Sequence, residues 1–304
     1  MARTIKYAYL HGFASGPKAA KGLALARNFA QQDLTLHRPD LNQPSFAKLT
    51  VTAMLDEVDR LHDAVSARAE GEVAWRFIAS SLGGWVASLW AQRAPERVDR
   101  MILLCPGFDM ASRWPAMMGA DAFAAWKTRG EHEFPDGAGL PTPVHWGFIE
   151  DAARYDSTPA PPKDLPIHIV HGRADAVVEI GSSRRYAAQH ESVTLHEVDD
   201  DHLLRQSVDF IWQLAKDELL LPDEVDPDAR YTFWWDHMGA QAKPTAEHLL
   251  IHLDEFLERE GIADQCETGL KSEHPAHAAA FCTAPARLEE LLVTALRPRR
   301  KTKA

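Results

Sequence analysis

Three residues, spread along the chain in a particular order, have the chemistry of a nucleophile, an acid and a base. Ser81 lies between an apolar run and a helix-like segment, Asp175 follows a later apolar run, and His202 follows the last one. A serine hydroxyl attacks a carbonyl carbon when an imidazole takes its proton and a carboxylate holds that imidazole in the right tautomer. The order predicts a catalytic triad with Ser81 as nucleophile, His202 as general base and then acid, and Asp175 as the orienting acid.

The residues around Ser81 fit the sharp strand-to-helix turn, or nucleophile elbow, that exposes a reactive serine. The residues two before and two after the serine must be small, and Ala79 and Gly83 meet this requirement. Ser80 does not, because its corresponding neighbour is Leu82. Alanine replaces the first glycine of the Gly-x-Ser-x-Gly pattern, which keeps the small side chain but weakens the signature.

Two backbone N–H groups are expected to form an oxyanion hole, which stabilises the negative charge that develops on the substrate carbonyl oxygen. One belongs to Leu82 at the start of the helix, and the other to Phe13 in the loop after the first strand. Gly12 permits an unusual backbone path there, and His11 is expected to brace the loop. A merely structural His-Gly turn is the alternative for this pair.

The acid and the base each have competitors in the sequence. Asp109 follows the strand predicted at 101–105 and is the alternative acid, but the segment ending in Asp175 leads directly into a helix, which favours Asp175. Among fifteen histidines, His202 follows the final core strand, lies downstream of both serine and acid, and is expected to open the last core helix.

The first 222 residues alternate strand-like apolar segments with amphipathic segments of helix length. This alternation predicts βαβ units and therefore a mostly parallel sheet with helices on both faces. The predicted strands are 6–10, 34–36, 73–79, 101–105, 167–170 and 193–198, and the predicted helices are 19–30, 51–67, 84–93, 182–189 and 203–220.

Residues 109–165 interrupt this alternation and are predicted to form a helical, lid-like insert at the carboxyl edge of the sheet. Trp114, Trp126 and Trp146 of this insert, together with His11, are candidates for the wall of an apolar substrate pocket. The alternative is a covering layer whose aromatic side chains are core.

Residues 223–304 follow an acidic, proline-bearing stretch and are predicted to form a small helical appendage of unknown role. Its helices are expected at 246–259, N-capped by Thr245, and at 285–296, opened by Pro285. Their apolar stripes are too small for an independent core, so we expect them to pack on the first domain or on a second copy of the chain, giving a homo-oligomer. The basic run 297–303 is expected to be a frayed end.

A weak metal-site candidate lies in the same appendage. His248 and His252 stand four residues apart on the predicted helix, with Glu255 on the same face, and could ligate one ion. Histidines on a polar helix face are usually solvated, so no metal is the favoured interpretation.

Composition restricts the partners. The net charge of −11 disfavours nucleic acid and anionic membranes, which leaves a small-molecule substrate. A span would need about 18 to 20 apolar residues in succession, and none is present. No leader precedes the strand at Ile5 and three widely spaced cysteines suggest reduced thiols, so a cytoplasmic location is expected.

Residues 9–18 (YLHGFASGPK) and 80–85 (SSLGGW) resemble the oxyanion and elbow segments of the α/β-hydrolase superfamily, and more closely those of its small YqiA-type esterases. The resemblance extends over residues 6–220. It implies a sheet that begins at the third strand of the usual count, a triad of Ser81, Asp175 and His202, and no cofactor. The insert is longer than in the smallest members, so the substrate class does not transfer.

The sequence therefore predicts a serine hydrolase that cleaves a small carboxylic ester or thioester through an acyl-enzyme. A C–C bond hydrolase or a lipase-like enzyme would use the same triad. A different class, a non-catalytic hydrolase-fold protein with a metal-binding C-terminal module, remains the alternative.

Overall fold

A computed structural model describes residues 3–220, 229–274 and 276–304. The chain divides into two compact units, Met1–Leu220 and Leu221–Ala304. No helix among the described residues is both long enough and apolar enough to cross a lipid bilayer.

The first unit alternates strands and helices along the chain. In order, its elements are β1 (Arg3–Leu10), α1 (Ala20–Ala30), β2 (Leu36–His37), α2 (Val51–Ser66), β3 (Glu72–Ser80), α3 (Leu82–Arg93), β4 (Val98–Leu104), α4 (Met110–Met118), α5 (Ala120–Arg129), β5 (Glu131–Pro135), β6 (Pro141–His145), α6 (Gly147–Ala152), β7 (Ile167–Gly172), α7 (Ile180–Gln189), β8 (Val193–Val198) and α8 (Val208–Leu219).

Six of these strands form one sheet in the order β2-β1-β3-β4-β7-β8, with every neighbouring pair parallel. Side chains of β3 alternate between its faces, as a strand requires. Trp75 and Phe77 belong to the apolar cluster that includes α2 and α3, whereas Ile78 belongs to the cluster that includes α1 and α8. The predicted parallel sheet with helices on both faces is therefore confirmed.

The last helix of this unit begins later than predicted. The helix expected from residue 203 starts at Val208, and the preceding residues form a turn. The buried carboxylate of Asp200 holds this turn, because its Oδ2 accepts hydrogen bonds from the N–H groups of Gln206 and Ser207, each at 2.9 Å. His202 therefore lies on a braced loop and does not open a helix.

The insert at residues 109–165 is only partly helical. Between α5 and α6 it forms an antiparallel hairpin of β5 and β6, which the sequence analysis did not predict. The strands are short, and their exposure alternates along β5. Hairpin registers of this kind depend on pairing between the strands, which no local pattern in the insert revealed.

The second unit is not the helical appendage that the sequence predicted. Its four strands form an antiparallel sheet in the order β10-β11-β9-β12. The chain order β-α-β-β-α-β with this strand order is the ferredoxin-like arrangement. Its elements are β9 (Arg230–Met238), α9 (Ala242–Arg259), β10 (Glu267–His274), β11 (His277–Pro285), α10 (Glu289–Leu296) and β12 (Arg300–Lys303).

Several local predictions in this unit are also wrong. Helix α9 starts at Ala242, and the Thr245 hydroxyl donates to the Gln241 carbonyl instead of capping the helix. Pro285 ends β11 and precedes a 3-10 turn at Ala286–Leu288, so the α-helix predicted from residue 285 begins only at Glu289. Part of the basic run that was expected to fray is β12, which pairs with β9.

Candidate active site

Ser81 lies in a strained turn between β3 and α3. Its backbone has φ +52° and ψ −120°, a conformation that non-glycine residues rarely adopt. Gly83 allows the turn to lie against the end of β1, because a Cβ atom there would stand 2.5 Å from the carbonyl oxygens of Leu10 and His11. The small residue that the sequence pattern requires at position 83 is therefore needed because the two backbone segments touch there.

The three residues predicted to act together are joined by hydrogen bonds. Ser81 Oγ lies 3.1 Å from His202 Nε2, and His202 Nδ1 lies 2.7 Å from Asp175 Oδ2. With Nδ1–H donating to the carboxylate, Nε2 is the acceptor for the serine hydroxyl. Because Ser81, Asp175 and His202 follow the parallel strands β3, β7 and β8, they meet at the carboxyl edge of the sheet.

The Asp175 carboxylate is buried and extensively hydrogen-bonded. Its Oδ1 accepts the N–H groups of Val177 and Val178, each at 2.8 Å, and His171 Nε2 lies 3.3 Å from its Oδ2. Burial by itself raises the pKa of Asp175, but hydrogen bonds from His171, His202 and Val178 outweigh it and hold the pKa well below its usual range. The carboxylate is therefore ionised at neutral pH.

Two residues that support this arrangement were not singled out from the sequence. His171, at the end of β7, is fully buried, accepts the hydroxyl proton of Ser183 at Nδ1, and donates from Nε2 to the Val178 carbonyl. Asp200, in the acidic turn after β8, braces the loop that carries His202. The position of both residues at strand ends was the available signal.

The loop after β1 approaches Ser81 closely. A Cβ atom on Gly12 would lie 3.0 Å from Ser81 Cβ, so glycine is required for this approach. His11 holds the loop, because Nδ1–H donates to the Gly12 carbonyl at 2.9 Å and Nε2 accepts the Leu41 N–H at 3.0 Å. Burial lowers the pKa of His11, which suits a neutral ring that accepts at Nε2.

The N–H groups of Phe13 and Leu82 are expected to form the oxyanion hole. Leu82 follows Ser81 directly in the chain, and Phe13 lies in the loop after β1. Within the described residues, neither group donates a hydrogen bond to a protein acceptor. Unpaired backbone donors are unusual, because such groups normally find partners. Both are therefore available to an oxygen atom of a ligand.

A cavity of about 470 Å³ opens on Ser81 and His202. It lies between the loop after β1, helix α1 and the loop before α8. Its other lining residues are Tyr9, Gly12, Phe13, Ala14, Ser15, Ala19, Ala20, Lys21, Ala24, Ser80, Leu203, Arg205 and Val208.

The four residues predicted to line the pocket lie elsewhere. His11, Trp114, Trp126 and Trp146 are absent from the wall of this cavity. Trp126 is fully buried, packs edge-to-face on Trp114 and Trp146, and donates its Nε1–H to a carbonyl of β6. Trp114 in turn packs against the ring of Phe13. Trp114 and Trp126 are core side chains, as the alternative interpretation expected, and the partly buried Trp146 packs against Trp126.

The competing acid and the metal candidates have other hydrogen-bond partners. Asp109 Oδ1 accepts the hydroxyls of Ser157 and Thr158, at 3.1 and 2.9 Å. His248 and His252 are exposed on α9 of the second unit, with their Nε2 atoms 3.2 Å apart. The favoured interpretation of these two histidines, that they hold no metal, stays a prediction.

Among the described residues, one group of three side chains has ligand atoms spaced for a metal ion, namely Cys105, His171 and Asp175. Asp175 is already hydrogen-bonded to His202, and His171 Nε2 donates to a carbonyl. Asp175 and His171 therefore already have hydrogen-bond partners within the protein.

Solved structures with the same fold include esterases and other hydrolase-fold proteins. Est1E from Butyrivibrio proteoclasticus has a TM-score of 0.59 at 15% identity, over 74% of this chain and 90% of that one. Mouse alpha/beta hydrolase domain-containing protein 10 has a TM-score of 0.56 at 20% identity, over 70% and 89% of the two chains.

A third structure, from work on the metagenome-derived lipolytic enzymes LipS and LipT, has a TM-score of 0.53 at 18% identity, over 71% of this chain and 93% of that one. At these identities the likeness establishes the α/β-hydrolase fold, as the resemblance in the motifs implied. The model of an uncharacterised protein family, UPF0227, matches residues 6–217. No curated protein matches the sequence.

Proposed function

The chain belongs to UPF0227, an uncharacterised protein family, and with this membership and the α/β-hydrolase fold as premise we propose that it is a serine hydrolase. The substrate is a small carboxylic ester or thioester, cleaved through an acyl-enzyme. The hydrogen-bonded series Ser81, His202 and Asp175, with Ser81 in a strained turn, carries the proposal.

In the first half of the reaction, His202 Nε2 takes the hydroxyl proton as Ser81 Oγ attacks the carbonyl carbon. Asp175 stabilises the imidazolium that results. The carbonyl oxygen becomes an oxyanion, which accepts the N–H groups of Phe13 and Leu82. When the tetrahedral intermediate collapses, the C–O or C–S bond breaks, His202 gives its proton to the leaving alcohol or thiol, and Ser81 is left acylated.

In the second half, a water molecule takes the place of the leaving group. His202 Nε2 removes a proton from this water as its oxygen attacks the acyl carbon, and the same oxyanion hole accepts the negative charge. Collapse of the second intermediate returns the proton to Ser81 Oγ and releases the carboxylic acid. Each oxyanion donor contributes about 3 to 4 kcal/mol in comparable sites.

Two observations favour catalysis over a hydrolase fold kept only for binding. The positive φ of Ser81 costs of order 1–3 kcal/mol, and such strain is usually retained where it positions a reacting group. The free N–H groups of Phe13 and Leu82 would stabilise the oxyanion that such a reaction creates.

The cavity volume of about 470 Å³ favours a small substrate over a large lipid. Hydrolysis of a C–C bond by the same triad is the second candidate reaction.

A fluorophosphonate probe tests the proposal directly, because it phosphonylates a serine that a neighbouring base activates. We expect label on Ser81 by peptide mapping, and none in a Ser81→Ala variant that melts at the wild-type temperature. The matched control is Ser112→Ala, an exposed serine of α4 outside the cavity. Label on Ser80, or no label on a folded wild-type protein, would contradict the assignment.

A further inference from the structure

Among the described residues that line the cavity beside Ser81 there are cations but no carboxylate. Lys21 comes from α1, and Arg205 comes from the loop that follows His202. Most of the remaining wall consists of small or apolar side chains and serine hydroxyls. A concave site with this charge pattern concentrates negatively charged ligands.

Lys21 is the more informative of the two cations, because it is partly buried and near the reacting serine. Its Nζ lies 3.5 Å from the hydroxyl of Ser80, the residue next to Ser81. In the described part of the chain, Lys21 forms no salt bridge with a carboxylate.

The electrostatics of Lys21 point to a missing counter-charge. Burial lowers the pKa of Lys21, and acidic groups farther away, among them Asp200, Asp201 and Asp175, only partly oppose this effect. A desolvated ammonium whose only direct partner is a neutral hydroxyl, with no carboxylate beside it among the described residues, is unfavourable. An anionic ligand in the cavity would supply that partner.

Arg205 offers a second group suited to the same ligand. It is exposed, and within the described residues its guanidinium has no hydrogen bond or ion pair. Guanidinium binds carboxylate and phosphate oxygens in a two-point geometry. Because Arg205 lines the cavity three residues after His202, it can meet an anion that enters beside the base.

Resting on the proposed serine hydrolase function, we infer that the substrate is an ester or thioester bearing a carboxylate or phosphate group. Lys21 binds this anion inside the cavity, Arg205 contacts it from the exposed edge, and the scissile carbonyl lies at Ser81 Oγ. The cavity volume of about 470 Å³ limits the separation of the two groups to a short chain.

Two pairs of esters, similar in chain length and different in charge, test this inference and identify the source of the anion. The p-nitrophenyl half-ester of glutarate against p-nitrophenyl valerate places a carboxylate on the acyl side. The butyrate ester of 2-hydroxyethyl phosphate against butyl butyrate places a phosphate on the alcohol side. We expect the wild-type protein to prefer the anionic member of at least one pair, by about tenfold or more in kcat/KM.

Variants then assign the preference to named residues. Lys21→Met should lower the anionic-to-neutral ratio of kcat/KM by roughly ten- to a hundredfold, as expected for a charge-assisted hydrogen bond. Arg205→Gln should lower the ratio less, because water screens an exposed charge. Lys18→Met, at an exposed lysine outside the cavity wall, should keep the wild-type ratio.

A structural role for Lys21 predicts a different result, namely that Lys21→Met lowers kcat/KM for both members of a pair equally. That outcome, or the absence of any anionic preference in the wild-type protein, overturns the inference. If Lys21→Met does not fold, the wild-type preference and the Arg205→Gln ratio still decide.

A binding measurement separates this inference from the proposed function. Calorimetry on the Ser81→Ala protein should detect monomethyl glutarate more strongly than dimethyl glutarate, and adding Lys21→Met should remove the difference. If no ester is hydrolysed and no probe labels Ser81, the proposed function fails while this comparison still tests the anion subsite. If neutral esters are hydrolysed but the two ligands bind equally, the anion subsite alone is refuted.

Discussion

Gly83 lies so close to His11 that a methyl group on its Cα would stand 2.5 Å from the His11 carbonyl oxygen. Since that oxygen belongs to the backbone at the end of β1, no side-chain rotation can relieve the contact. The turn that holds Ser81 and the loop that holds Phe13 are thus pressed against each other. Their separation, and with it the geometry of the proposed oxyanion hole, depends on the absence of a side chain at Gly83.

We therefore predict that Gly83→Ala displaces the turn, and that fluorophosphonate labelling of Ser81 becomes at least about tenfold slower, since small displacements of reacting groups are costly. The melting temperature should also fall. Gly181→Ala is the matched control, because its nearest contact is the flexible end of Arg185 at 3.4 Å and alanine is favoured in a helix. Equal labelling rates in the wild-type and Gly83→Ala proteins would show that the contact does not position Ser81.

The identity of the acid is tested by amide substitution at the two candidates. Asp175→Asn removes the charge that holds His202 Nδ1–H, so kcat should fall by about 10⁴. Asp109→Asn should leave kcat within a few fold, because the only hydrogen bonds that the Asp109 carboxylate accepts among the described residues come from the hydroxyls of Ser157 and Thr158. Steady-state kinetics on the ester that the wild-type protein hydrolyses most efficiently makes the comparison. A larger loss from Asp109→Asn would transfer the role to that residue.

The buried ring of His11 should make stability depend on pH. Its pKa is lowered in the folded protein, so below about pH 6.5 the unfolded chain binds the additional proton and stability falls as pH falls. Protonation would also remove the acceptor for the Leu41 N–H. We expect the unfolding free energy of His11→Gln to fall less between pH 7 and pH 5 than that of the wild type.

This difference between the two proteins is at most about 1.4 kcal/mol per pH unit, the value for one proton. Other histidines with lowered pKa values, such as His62, are present in both proteins, so the difference reports His11. Urea denaturation at several pH values provides the measurement. Parallel profiles would mean that His11 is not held neutral.

The aromatic core of the insert gives a stability prediction that separates core from pocket. Trp126→Ala should cost about 3–5 kcal/mol, because the indole is fully buried and its Nε1–H is hydrogen-bonded. Leu140→Ala, at a side chain that is 62% exposed, should change stability by less than about 0.5 kcal/mol. Chemical denaturation measures both. A raised KM with unchanged stability for Trp126→Ala would instead indicate a substrate contact.

Much of the site could be read from the sequence because its determinants are local or follow from strand order. The small residues around Ser81 reflect a steric requirement within one turn. The order of Ser81, Asp175 and His202 placed each of them after a predicted strand, and parallel strands present their carboxyl ends at one edge. That is why the residues predicted for the triad lie within hydrogen-bond distance in the structure.

The tertiary structure decided what apolar composition and local propensity leave open. Aromatic residues are common both in hydrophobic cores and in substrate pockets. Only the packing could therefore show that Trp114 and Trp126 lie inside the insert and away from the cavity. What Lys21 and Asp200 do depends on which polar groups the fold places next to them, and their neighbours in the sequence do not determine this. The sheet of the second unit was not predicted, because its strands are stabilised by pairing between segments that are distant in sequence. A helix such as α9 can be predicted from the periodicity of its own apolar residues.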